Sequence, residues 1–195
     1  MSAIIFENCT LLDVAQGQML PSRSIMVEGE RIREVSDRPI RWADAQRIDV
    51  HGRTVMPGLC DAHVHVTQLD PNLQALRHAA PSYVSAQASV VMRAMLRRGF
   101  TTVRDAGGAD YGLADAVAEG LFEGPRLLFS GHALTQTGGH GDMRQRGEDR
   151  IDFCPACVGR AGGVCDGVDE VRRAARDELR KGASQIKLMV NGGVT

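Results

Sequence analysis

The rhythm of hydrophobic and polar positions changes near Pro57. Before it, apolar residues fall in short extended runs at 4–6, 24–27, 32–35 and 47–50, punctuated by Gly17, Pro21, Gly29 and Gly52. Short runs broken by turn formers predict strands, and Glu28-Gly29-Glu30 predicts a hairpin joint. After Pro57, strand-like runs alternate with helical periodicity. Residues 59–66, 101–104, 126–129 and 185–190 read as strands. Residues 82–98 read as a helix with Val84, Ala88, Val91 and Met95 on one face, Ser82 as N-cap and Gly99 past its end. Residues 113–119 predict a short helix, and 168–181 a longer one with Val171, Ala175 and Leu179 on one face.

One joint occurs twice. MLRRGFTTVRD (95–105) and ELRKGASQIKL (178–188) both run helix, two basic residues, glycine, strand. Basic residues suit a helix C-terminus, and glycine suits the left-handed residue that follows it. Repeated helix-to-strand joints predict βα units on a parallel sheet with right-handed crossovers. A doubly wound sheet and part of a βα barrel both satisfy this pattern. The expected domains are a small β unit over residues 1–56, which holds Trp42, and βα units over 57–195. The segment 131–167 shows no convincing helix or strand. Long connections of that kind are usually functional, and this one follows a strand, on the edge where α/β proteins keep their sites.

Composition narrows the class. The 195 residues are 43% hydrophobic and 24% charged, as in an ordinary globular protein. The formal net charge of -1 supplies no basic field to collect nucleic acid or an anionic membrane. No run approaches the roughly 18 apolar residues of a membrane span, and the first residues lack a signal-peptide pattern. Five scattered cysteines suit a reducing compartment, hence the cytoplasm. Cys154, Cys157 and Cys165 are spaced C-x2-C-x7-C, which lacks the fourth ligand of a zinc ribbon.

Candidate chemistry begins at His63 and His65. Residues two apart on a strand share a face, so Ala62, Val64 and Val66 take the apolar side and the imidazoles the other. Paired neutral imidazoles are good ligands for zinc-class metals; the alternative is two half-exposed polar side chains. Lys187 lies between Ile186 and Leu188 and opposes the apolar face of Ile186, Leu188 and Val190. An inward ammonium is costly unless paired or neutralised. It therefore reads as an ion-paired residue, a Schiff-base former, or an amine that adds carbon dioxide to give a bridging carbamate. His140 sits among glycines in the long loop, where it could meet a substrate or stay solvated. Arg144 offers a guanidinium for a carboxylate. His132 reads as structural, Asp61 as a buried hydrogen-bonding group, and Asp105 as a cap for the next helix or a group that orients a ligand.

PGLCDAHVH (57–65), TTVRDAGG (101–108), SGHALTQTGGHGD (130–142) and QIKLMVNGG (185–193), in that order, resemble the amidohydrolase superfamily. More narrowly they resemble its imidazolonepropionase-related metallo-dipeptidases, including prolidases. The resemblance implies an α/β fold: the first half of a (β/α)8 TIM-type barrel preceded by part of a small β-sandwich. It makes 57–195 the first four βα units of a metal-dependent hydrolase barrel. It implies one or two zinc ions held by His63, His65 and a Lys187 carboxylated by carbon dioxide, with His140 and Arg144 on the substrate side. The implied reaction is hydrolysis of an amide by metal-activated water. The substrate would be a dipeptide, Xaa-Pro or Xaa-hydrophobic, with a cyclic amide as the alternative. The implied partners are small molecules, and assembly as a homo-oligomer stays open. The family draws two further histidines and its catalytic aspartate from later strands, whereas this sequence stops at Thr195. Residues 1–195 therefore look like the N-terminal half, expected to lack the general base, and an inactive fragment is the rival reading.

Overall fold

The computed structural model describes residues 3–70, 79–148 and 162–191. They fall into two compact units, Met1–Pro57 and Gly58–Thr195.

The first unit is a five-stranded sheet of β1 (Ala3–Asp13), β2 (Gln18–Glu28), β3 (Arg31–Ser36), β4 (Gln46–Asp49) and β5 (Thr54–Val55). β1 is central. It pairs antiparallel with β2 on one side and parallel with β4 and then β5 on the other. The joint at Gly29 turns β2 into β3 with Glu28 opposite Arg31, and Gly29 has φ 60°. β1 and β2 run well beyond the apolar cores that mark them in the sequence, because backbone pairing carries the polar flanks along. Ala3, Ile5, Met26 and Ile40 form a small core of their own.

The second unit holds two three-stranded sheets. β6 (Leu59–Val64), β7 (Phe100–Asp105) and β8 (Arg126–Phe129) are parallel and in sequence order. β9 (Ala133–Thr135) pairs in parallel with β10 (Gly162–Val164) and with β11 (Leu188–Met189). The 131–167 segment thus contains two short strands that its sequence does not announce. A three-residue strand carries too few positions for an alternation to register. The fourth expected strand belongs to this second sheet, but Ser184 N–H donates to the Phe129 carbonyl and Gln185 Nε2 to the Asp105 carbonyl, which ties the approach to β11 back to β8 and β7.

Helices α1 (Pro81–Arg97), α2 (Tyr111–Ala118) and α3 (Gly167–Arg180) complete the unit. α1 buries Val84, and packs Ala88 and Met92 into a core with Val64, Val66, Val103 and Leu127. Trimming the fully buried Met92 to alanine would cost about 2–5 kcal/mol. Ser82 is not the cap of α1. Ala80 takes that place and Pro81 occupies the first turn, where its fixed φ and missing N–H cost nothing. Nor does α3 bury the face drawn from its sequence: Leu179 is 51% exposed, and Glu178 is the buried residue. The reason is ionic. Glu178 accepts from His132 Nδ1 at 3.0 Å and from Lys181 Nζ at 3.2 Å. Burial pushes its carboxyl up, but His132 and Lys181 outweigh that and hold it below the usual value. His132 is thereby structural, as its sequence context predicts.

Candidate metal centre

The site grows from the C-terminal ends of the parallel strands. His63 lies in β6 and His65 one residue beyond it. Their ring centroids are 5.3 Å apart at an interplanar angle of 68°. His65 Nδ1 is 3.0 Å from the Gly107 carbonyl, which can only accept, so a proton on Nδ1 satisfies this shorter contact and leaves the Nε2 lone pair free, whereas the Gln68 Nε2 donor favours the other tautomer. The Gln68 amide lies 3.2 Å from the same nitrogen. Burial lowers the pKa of His63, and the neighbouring Lys187 and His65 charges lower it further. Neutral imidazole is the form that binds a cation.

A cavity of about 450 Å³ brings His63, His65, Gln68, His140, Lys187 and Asn191 to one lining. Lys187 arrives on the residue before β11, and its carbonyl accepts from Leu134 N–H at 2.8 Å. The apolar face assigned opposite to it is not packed away: Leu188 is 53% and Val190 80% exposed. On that side Leu188 and Val190 share an open groove with Val168, Val171 and Arg172 of α3, and the regular pairing of β11 is only two residues long.

His140 is set by its loop. Its N–H donates to the Asn191 carbonyl at 3.1 Å, and the neighbouring Gly141 N–H reaches Thr135 Oγ1 at 3.3 Å. Asp142 Oδ2 accepts from Gly138 N–H at 2.9 Å, and both its oxygens take the Arg144 guanidinium, at 2.7 and 2.6 Å. The Arg144 bonds hold the Asp142 carboxyl far below the usual carboxylate range, against its burial. Arg144 does not line the cavity; its fork grips Asp142. Thr137 donates from N–H and from Oγ1 to Asp166, at the N-terminus of α3. Of the sequence-predicted residues, His63, His65, Lys187 and His140 converge, and Arg144 supports the loop that carries His140.

Two residues acquire roles their sequence positions did not settle. Asp110 caps α2 by accepting from Leu113 N–H, so Asp105 is not that cap. Asp105 is fully buried instead, and both its oxygens accept backbone N–H groups at the edge of the site. Burial raises its pKa, while bonds from Val66, Gly107 and Ala109 pull the other way. Asp61 is half-buried and accepts from the His63 N–H at 3.0 Å. Cys154 and Cys157 lie outside the described residues, and Cys165 is a buried free thiol.

The donor set fits a divalent metal. Two nitrogen ligands about 2.0–2.1 Å from a shared ion put their ring centroids roughly 5 Å apart, which the observed pair matches. His65 has the backbone hydrogen bond that metal-ligating histidines make through their second nitrogen. Among the described residues no group of three or more His, Cys, Asp or Glu side chains is close enough to hold a metal ion, and Lys187 and His140 are the other basic side chains on the lining.

The imidazole pair thus stands at the C-terminal end of the parallel strand β6, and Lys187 on the segment that enters β11. The chain belongs to the amidohydrolase family, whose model matches residues 54–195. It is 32% identical to the ochratoxinase of Aspergillus niger, across 94% of this chain and 41% of that protein. Among solved structures it is similar to an amidohydrolase, at 52% identity and a TM-score of 0.93 over 99% of this chain and 48% of that one. A prolidase complexed with N-methylphosphonate-L-proline matches at 46% identity and a TM-score of 0.92, again over 99% and 48%. The chain thus spans about half the length of these relatives or less. Its mixed α/β fold is the N-terminal half of their barrel architecture. No described helix is long and apolar enough to cross a membrane.

Proposed function

We propose that this chain carries the first part of the active site of a metal-dependent hydrolase that cleaves a carbon–nitrogen bond in a small amide, with an Xaa-Pro or Xaa-hydrophobic dipeptide as the favoured substrate. The observation that carries the reading is the convergence of His63, His65, Lys187 and His140 on one cavity at the ends of parallel strands. The similarity to a prolidase supports the dipeptide. In this reading residues 57–195 are the first βα units of the barrel, and residues 1–56 belong to the flanking β unit.

His63 and His65 would hold a zinc ion through neutral imidazole nitrogens, with His65 oriented by the Gly107 carbonyl. The Lys187 amine would bond the carbon of carbon dioxide and release a proton, and the resulting carbamate would be an anionic oxygen donor for the metal. A bound zinc ion supplies Lewis acidity to the scissile carbonyl and to an attacking water. His140, held above the cavity by its glycine loop, donates to the substrate carbonyl or binds its carboxylate. Arg144 serves the same substrate through Asp142, by keeping that loop in place. The free thiols of Cys9, Cys60 and Cys165 suit work in the cytoplasm.

Metal content, and hydrolysis of a dipeptide panel with a cyclic amide beside it by a form that carries the complete barrel, test the reading. Replacing both His63 and His65 by alanine is expected to remove zinc and hydrolysis together. Undiminished zinc in the double variant would refute the ligand assignment, and turnover of the cyclic amide alone would replace the dipeptide as substrate.

A further inference from the structure

The buried carboxylate of Asp105 sits between the segments that carry the candidate ligands. Its Oδ2 accepts from Val66 N–H at 2.7 Å, the peptide that follows His65. Its Oδ1 accepts from Gly107 N–H at 2.9 Å and from Ala109 N–H at 3.2 Å. Gly107 is the residue whose carbonyl faces His65 Nδ1. Ala106 N–H closes the ring by donating to the Val64 carbonyl at 2.9 Å. The backbone carbonyl of Asp105 accepts from Gln185 Nε2 at 2.9 Å, on the segment that leads to Lys187. The side chain is wholly shut off from solvent.

We infer that Asp105 is a positioning residue for the metal site: by gripping the peptides on either side of His65 and the loop that offers the Gly107 carbonyl, it fixes the ring of His65 with the proton on Nδ1 and the lone pair of Nε2 toward the cavity. The inference rests on the proposed metal-binding role of His65. The physical reasoning is short. A carboxylate can accept from N–H groups on both oxygens at once. An asparagine has one acceptor and one donor head, so it must abandon either Val66 or the Gly107–Ala109 turn. Either loss frees the Gly107 carbonyl or the His65 backbone to shift, and the tautomer is no longer imposed. Partners of this indirect kind are worth 10–100-fold in metal affinity, on the order of magnitude seen at other sites.

The test uses zinc alone as ligand and the protein selectively labelled with ¹⁵N-histidine. In the unaltered protein, long-range ¹⁵N–¹H spectra are expected to show His65 as the Nδ1–H tautomer even before metal is added. Asp105→Asn is expected to give mixed tautomers and a roughly 10–100-fold weaker zinc affinity in chelator competition. Asp110→Ala removes the nearby cap of α2 and touches neither histidine, so it is expected to lower stability and leave both readouts unchanged. An Nε2–H tautomer for His65 in the unaltered protein overturns the inference, and needs no variant to fold. So does an Asp105→Asn protein with the original tautomer and affinity, or an Asp110→Ala protein that loses affinity equally. If His65→Ala binds zinc as tightly as the unaltered protein, the ligand assignment fails instead. The tautomer comparison then still decides whether Asp105 orients the ring.

Discussion

Two aspartates hold two parts of the cavity by opposite means. Asp105, fully buried behind His65, accepts only backbone N–H groups, and its carboxyl is pushed up by burial. Asp142, beneath His140, takes a backbone N–H and a forked guanidinium, and its carboxyl is pulled far down. The buried device fixes a strand end, where the chain already has a sheet and a core around it. The ion-paired device fixes a loop that has neither. A loop needs directional, charge-assisted bonds because apolar packing supplies little of its order.

The largest effect expected lies on neither support but on Lys187. Lys187→Ala in the metal-loaded protein should drop hydrolysis to background, and a short carboxylate added in solution should restore part of it by filling the bridge. Full activity in the variant would remove Lys187 from the site. Next comes the loop. Asp142→Ala should lower kcat/KM by about 100-fold, the scale of a small misplacement near the reacting atoms. Zinc content should stay unchanged, because His63 and His65 are held elsewhere. Loss of zinc in that variant would merge the two supports into one.

Acid sharpens the contrast. Asp142 and Glu178 both have folded-state pKa values below the ordinary range. A depressed carboxyl adds stability above its unfolded value, about 3.9 for aspartate and 4.3 for glutamate. That stability is lost as pH falls from there through the folded value. Asp105 has the opposite shift, so protonation from its raised folded value down to the ordinary one favours the folded state. Thermal midpoints measured downward from pH 6 should therefore fall less steeply in Asp142→Asn than in the unaltered protein. An equal slope would show that the Asp142 carboxyl is not depressed in the folded protein. The smallest change is at the cap of α2, where Asp110→Ala should cost about 0.5–2 kcal/mol in denaturant unfolding and leave hydrolysis untouched.

Much of this was legible beforehand, for identifiable reasons. The strand at Arg126–Phe129 and the glycines closing α1 and α3 were readable because each depends on local chemistry: apolar residues between turns, and a left-handed position at Gly99 and Gly182. The histidine pair was readable because strand parity is local too. The short strands β9 and β10 were not, since each exists only through pairing with a distant segment. Leu179 and Glu178 exchanged places for a similar reason: an apolar residue is usually the one buried, and only the arrival of His132 beside α3 reverses that. Arg144 looked available to a substrate because nothing in its spacing says that Asp142, two residues earlier, will turn back to meet it.

The sequence by itself determined that parallel βα units would form and that His63 and His65 would lie together. These follow from periodicity and chain order, which operate over a few residues. Tertiary structure alone decided that Asp105 would bind the peptides around His65, that the Gly107 carbonyl would face its Nδ1, and that the cavity would gather His140 and Lys187 beside it. Those contacts join residues about forty or more positions apart, and a hydrogen bond over that separation has no local signature; it exists only once the core has brought the strands into register.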